Sequence, residues 1–124
     1  MQAAILRGDA QPEFATGERC HIRELANVPG DAAASIARAR VAVGAVTRWH
    51  RLRGTAERYV ILEGRGRVEV GALPATDVGP GDVVLIPPDT RQRIANIGAQ
   101  DLVFLAICTP RFVPDVYEDV DPET

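Results

Sequence analysis

The sequence contains no lysine; all 14 basic residues are arginine. A GC-rich genome is the ordinary source of such a bias, and its chemical consequence holds whatever the source. No lysine can form a Schiff base or grip a phosphate, so anion contacts fall to guanidinium, imidazole or backbone N–H groups. Cysteine is scarce: Cys20 and Cys108 lie far apart, and neither belongs to a Cys-x-x-Cys pair. That excludes a disulfide framework and the common zinc motifs. Aromatic residues make up only 5%, and no stretch interleaves them with basic residues as single-strand nucleic-acid binders do. Net charge is −3, so nothing global draws the chain to nucleic acid or to an acidic membrane. The apolar run Leu102–Cys108 falls far short of the ~20 residues that span a bilayer. The chain opens without a charged head and apolar stretch, so the expected compartment is the cytoplasm.

What is present fits one globular unit. Hydrophobic residues make up 46% and charged residues 25% of 124 residues, an ordinary balance for a single domain over residues 1–124. Residues 1–17 mix Gly, Pro and polar types and read as an irregular arm or an edge strand; residues 115–124 are acidic and read as a tail frayed at its end. Between them the pattern is strand, turn, strand over Ser35–Val43, Glu57–Leu62, Arg67–Val70, Val83–Ile86, Arg91–Asn96 and Asp101–Thr109. The turns are Gly64-Arg65-Gly66, Gly79-Pro80-Gly81-Asp82 and Ile97-Gly98-Ala99-Gln100. Short strands at about 8–12-residue spacing predict an all-β sandwich or barrel, with its core at about 35–109. Asp101–Thr109 is apolar on both faces. A small barrel covers such a second face most simply with another copy of itself, so a homodimer is expected.

The first residues that point to chemistry are His50 and Glu57, seven apart with Gly54 in a turn between them. An imidazole and a carboxylate brought to one point form a partial metal site or an acid–base pair. Many surface hairpins carry the same two residues. Tyr59 shares the face of Glu57 and brings a phenol toward the same place, for a hydrogen bond, a proton relay or packing. Trp49 has the opposite parity and reads as packing; Cys108 reads as a small buried hydrophobe.

The wider spacing is more specific. Gly44 is followed after five residues by His50, after one by Leu52, after four by Glu57 and after six by Gly64. Later, Gly81 is followed after five by Pro87, after one by Asp89, after two by Gln92 and after three by Asn96. This resembles the two sequence motifs of the cupin superfamily, across residues 44–96. The resemblance implies a double-stranded β-helix, a jelly-roll-like barrel of two antiparallel sheets, usually dimeric, in a small single-domain form. It also implies a ligand set at His50, Leu52, Glu57 and Gln92, where cupins typically have His, His, Glu and His. Leu52 cannot bind a metal and Gln92 offers only an amide oxygen. The metal expectation is therefore a divalent ion (zinc, manganese or iron) held weakly by His50, Glu57 and Gln92, or none. Asp89 stands for a turn glycine and tolerates left-handed backbone.

Arg38, Arg40 and Arg48 share parity with His50 if the strand runs on without a bulge, which would place Arg40 and Arg48 beside Tyr59 as substrate-binding groups for a carboxylate or phosphate. On the outer face they would instead pair with acids such as Asp101. The resemblance implies a dioxygenase, isomerase or lyase acting on a small polar molecule; with the residues present, the substrate expected is small and anionic or sugar-like, and His50, Glu57 and Tyr59 are the expected catalytic groups. The competing readings are a metal-free barrel that binds a small molecule without catalysis, and a structural dimer with a vestigial pocket.

Overall fold

The computed structural model describes residues 1–123. Its eleven strands are β1 (Phe14–Ala15), β2 (His21–Ala26), β3 (Ser35–Val41), β4 (His50–Leu52), β5 (Ala56–Glu63), β6 (Gly66–Val70), β7 (Thr76–Val78), β8 (Val83–Ile86), β9 (Gln92–Asn96), β10 (Leu102–Thr109) and β11 (Tyr117–Asp119). They form a six-stranded sheet in the order β1-β2-β3-β10-β5-β8 and a five-stranded sheet in the order β11-β4-β9-β6-β7. All pairings are antiparallel. The two-sheet barrel expected from the strand pattern is the fold observed.

Side chains alternate inward and outward along each strand. On β5 the inward set is Glu57, Tyr59 and Ile61; on β9 it is Gln92, Ile94 and Asn96. Val41, Ile61, Ile94 and Leu102 fill the barrel with almost no exposure. The outer face of β10 carries Leu105 and Ile107, which pair in register with Arg38 and Ile36 of β3 and with Val60 and Arg58 of β5.

Both ends of the chain carry strands: β1 lies at the edge of the six-stranded sheet, one of the two alternatives for residues 1–17, and β11 falls within the acidic tail, whose last residue, Thr124, lies outside the described residues. Residues 21–26 are a full strand, although their sequence lacks apolar alternation, because β2 pairs with β3 from His21↔Arg40 to Ala26↔Ile36. The acidic tail is ordered through β11, which pairs with β4 at Tyr117↔Leu52 and Asp119↔His50. Its acids are fixed by specific partners: Asp119 by Arg48, and Asp121 by the Trp49 backbone N–H. No helix among the described residues is long and apolar enough to cross a membrane.

Candidate functional site

His50 starts β4 and lies in register with Gln92 at the start of β9. Glu57 lies on the opposite sheet, between Cys108 of β10 and Ile86 of β8. The two sheets thus aim an imidazole and a carboxylate into one hollow, with the Gln92 carboxamide fully buried and bonded to Glu57 outside the cavity lining. A cavity of about 240 Å³ opens above them. His50, Glu57, Leu52 and Cys108 line its floor, and Phe14, Glu18, Glu24, Phe112, Pro114 and Tyr117 line its sides. A second void of about 30 Å³ continues beneath, bounded by Glu18, Cys20, Thr47, His50, Glu57 and Tyr59, large enough for a water molecule.

His50 is 4% exposed. Its Nδ1 lies 2.7 Å from the Arg48 carbonyl oxygen. A carbonyl only accepts, so Nδ1 carries a proton, and in the neutral ring the Nε2 lone pair faces the cavity. Tyr117 stacks on the ring at 5.2 Å between centroids and fixes its plane. Glu18 Oε2 sits 3.6 Å from His50 Nε2. Glu18 is held by the hairpin joining β1 and β2, where the Thr16 hydroxyl bonds the Cys20 carbonyl at 2.8 Å. The backbone N–H of Arg48 also bonds the Glu18 carbonyl at 3.1 Å.

Glu57 is 8% exposed. The Gln92 amide donates to its Oε1 at 2.8 Å, and the Tyr59 hydroxyl donates to Gln92 Oε1 at 2.5 Å. A directed chain therefore runs from phenol to amide to carboxylate. Glu57 Oε2 has only the Cys108 thiol, 3.7 Å away. Burial pushes the Glu57 and Glu18 carboxyls above the usual range, opposed in both by the nearby His50. Burial likewise pushes the Tyr59 phenol and the Cys108 thiol upward, so neither is a nucleophile near neutral pH.

Tyr59 lies beside the site as expected, one step behind Glu57. Arg40 and Arg48 do not line the cavity. On β3 the inward set is Ser35, Ala39 and Val41, so Arg38 and Arg40 face outward. Arg40 binds Glu13 at 2.8 Å and Asp101 at 3.4 Å. Arg48 lies in the loop that crosses between the sheets, and its Nε is 2.6 Å from Asp119. Strand parity fails there because β3 stops at Val41 and Gly44 turns the chain at φ +78. Glu18, Glu24, Phe112 and Tyr117 escaped the sequence reading: they lie outside both motifs, and no spacing ties them to His50.

The donor set does not fit a tightly held metal. Leu52 presents carbon where a second imidazole would sit, and the Gln92 oxygen is engaged by Tyr59 while its nitrogen faces Glu57. No group of three or more His, Cys, Asp or Glu side chains is arranged to hold a metal among the described residues.

A small antiparallel barrel with His50, Glu18 and Glu57 gathered at one mouth is the class that fold and site define. The cupin domain model matches residues 37–108, and the chain belongs to the cupin family. An uncharacterized protein of Methanocaldococcus jannaschii is 36% identical over 110 residues, spanning 87% of this chain and 85% of that protein. Streptomyces Pac13, described as a nucleoside dehydratase, solved as a variant with uridine, superposes with a TM-score of 0.80 at 17% identity, covering 98% of this chain and 93% of that one. KdgF from a Halomonas species gives 0.77 at 15% identity over 90% and 96%. Lactobacillus farciminis oxalate decarboxylase, in a formate complex, gives 0.78 at 18% identity over 90% of this chain and 34% of that longer one. At these identities the likeness shows the fold.

Proposed function

We propose that this cupin is a small-molecule lyase or isomerase that works by proton transfer without a resident metal. The observation that carries the reading is the free Nε2 of His50 facing Glu18 at 3.6 Å above a buried Glu57. His50 is the base: Nε2 takes a proton from a carbon beside an electron-withdrawing group of the substrate. Glu18, whose carboxyl is pushed upward by burial, is the acid. It returns a proton either to another substrate atom, completing an isomerisation, or to a departing hydroxyl, which leaves as water. Glu57, oriented by Gln92 and Tyr59, stabilises the imidazolium formed in the first step. That Pac13 is described as a dehydratase supports the lyase branch.

The test is solvent exchange. The protein is incubated in D₂O with a panel of β-hydroxy carbonyl compounds, neutral and amino sugars and nucleosides, and deuterium incorporation is read by NMR. Wild type exchanges at least one member, and His50→Gln lowers the rate by about 10²–10⁴-fold, the usual worth of a general base. Exchange equal in wild type and His50→Gln would refute the assignment. The competing metal reading places zinc, manganese or iron at His50, Glu57 and Gln92. It requires about one ion per chain by mass spectrometry, lost in His50→Ala; the proton-transfer reading expects no stoichiometric ion. Retained ligand binding with no exchange at all would favour the non-catalytic binding barrel.

We also propose that two copies pair through the outer face of the six-stranded sheet. Leu62, Val83 and Leu85 are 42%, 56% and 67% exposed there; Val83 and Leu85 pair with Val60 and Arg58 of β5, which in turn face Leu105 and Ile107 of β10. A second copy would bury them.

A further inference from the structure

Three acidic side chains and no guanidinium line the cavity among the described residues. Glu18, Glu24 and Glu57 all face it, and no arginine does so among the described residues. Arg40 and Arg48 are engaged by Glu13, Asp101 and Asp119 on the outside. Arg111, whose charge acts on Glu24, bonds Asn27 and does not line the cavity. Two lone pairs point inward without a strong partner. One is His50 Nε2, with Glu18 3.6 Å away; the other is Glu57 Oε2, on a side chain more than nine-tenths buried, with the Cys108 thiol at 3.7 Å. Phe14, Phe112 and Tyr117 wall the sides. An occupant must therefore bring hydrogen-bond donors to acceptors and an aromatic or apolar body to aromatic walls. A carboxylate or phosphate would meet three acidic side chains, with the His50 imidazole the one basic group lining the cavity among the described residues. Aromatic walls around acidic groups suit a cation.

Resting on the reading of this cavity as the ligand site, we propose that it selects small planar organic molecules bearing an amine or another donor group, and rejects anions. This replaces the anionic substrate expected from the arginines. The volume is adequate for a single ring, since an apolar cavity of about 150 Å³ accepts benzene.

Three probes of one shape isolate charge: benzylamine, benzyl alcohol and benzoate, titrated calorimetrically near pH 7.5 into the full chain. Benzylamine binds tightest, benzyl alcohol more weakly, and benzoate at least about tenfold more weakly than benzylamine, a gap that one nearby carboxylate supplies. Glu24→Gln, at the cavity side and outside the proposed proton-transfer groups, weakens benzylamine several-fold and leaves benzyl alcohol unchanged. The retained alcohol binding shows that the variant is folded. In wild type, raising salt weakens benzylamine and spares benzyl alcohol. Benzoate binding as tightly as benzylamine overturns the proposal. So does binding of none of the three, or an equal loss of amine and alcohol in Glu24→Gln. Charge preference is read without turnover, so this order can hold even if the D₂O exchange test fails, and it can fail while exchange succeeds.

Discussion

Gln92 shows how a single side chain fixes a site it does not enter. It is fully buried, its amide spends one hydrogen on Glu57, and its oxygen takes the Tyr59 hydroxyl. Tyr59→Phe leaves that oxygen buried and unpaired, at a cost of about 1–3 kcal/mol; a thermal melt should show the loss with the secondary structure intact. Glu57 works in the opposite sense. Burial raises its carboxyl above the ordinary 4.5, so below that value both folded and unfolded chains carry the proton and no penalty exists. As pH rises, the unfolded chain ionises first and stability falls until the folded group also ionises. Glu57→Gln is therefore expected to raise the melting temperature at pH 8, with the gain shrinking to nothing near pH 4, while the exchange reaction is lost. Equal melting points at pH 8 would contradict this account. Stability surrendered to bury an ionisable group is a common mark of a working site.

Among the elements, the turns explain why the motifs are legible. Gly64 sits at φ +83, and a Cβ there would lie 2.6 Å from the Asp101 carbonyl oxygen. Gly54 sits at φ +60 with open space around it. Both pay the left-handed penalty on substitution, and only Gly64 adds a clash with backbone that cannot move aside. Gly54→Ala should cost about 1–2 kcal/mol and Gly64→Ala distinctly more, as measured by denaturant unfolding. Asp89 adopts φ +64 and its Oδ1 accepts the Gly54 N–H at 3.0 Å. Asn96 ties Val41, Gly98 and Gln100 together. These positions read clearly in the sequence because their demands are local: a backbone angle or a short-range bond permits few residue types. The strand alternation that placed Glu57, Tyr59 and Gln92 inward is local too. Glu18 and Tyr117 answer to no such rule. They reach His50 through the pairings β1–β2 and β11–β4, which no periodicity announces. The misplacement of Arg40 and Arg48 has the same origin, since parity was carried through a loop where the strand had already ended.

For the molecule as a whole, two sets of acids set the response to pH. Burial raises Glu18, Glu24 and Glu57. Arginine partners lower Glu13, Asp77, Glu118 and Asp119, and backbone N–H groups lower Asp121. The first set erodes stability as pH climbs above about 4.5; the second loses its contribution as pH falls through the depressed values, below the ordinary carboxylate range. A melting-temperature profile should therefore peak on the mildly acidic side, near pH 5, and sit lower at pH 8. A profile still rising from 5 to 8 would contradict it. The exposed apolar row on β5 and β8 predicts a solution mass near twice 13.4 kDa, with Leu85→Glu shifting light-scattering mass toward the monomer.

The cavity borrows its walls from both extremities of the chain: Phe14 and Glu18 from one end, Phe112, Pro114 and Tyr117 from the other. All five lie beyond the stretch 37–108 that identifies the family. Chains alike across that stretch can therefore differ in the molecule they accept, according to how their ends fold back. Trimming or fusing either terminus of this one would alter its chemistry before it disturbed its barrel.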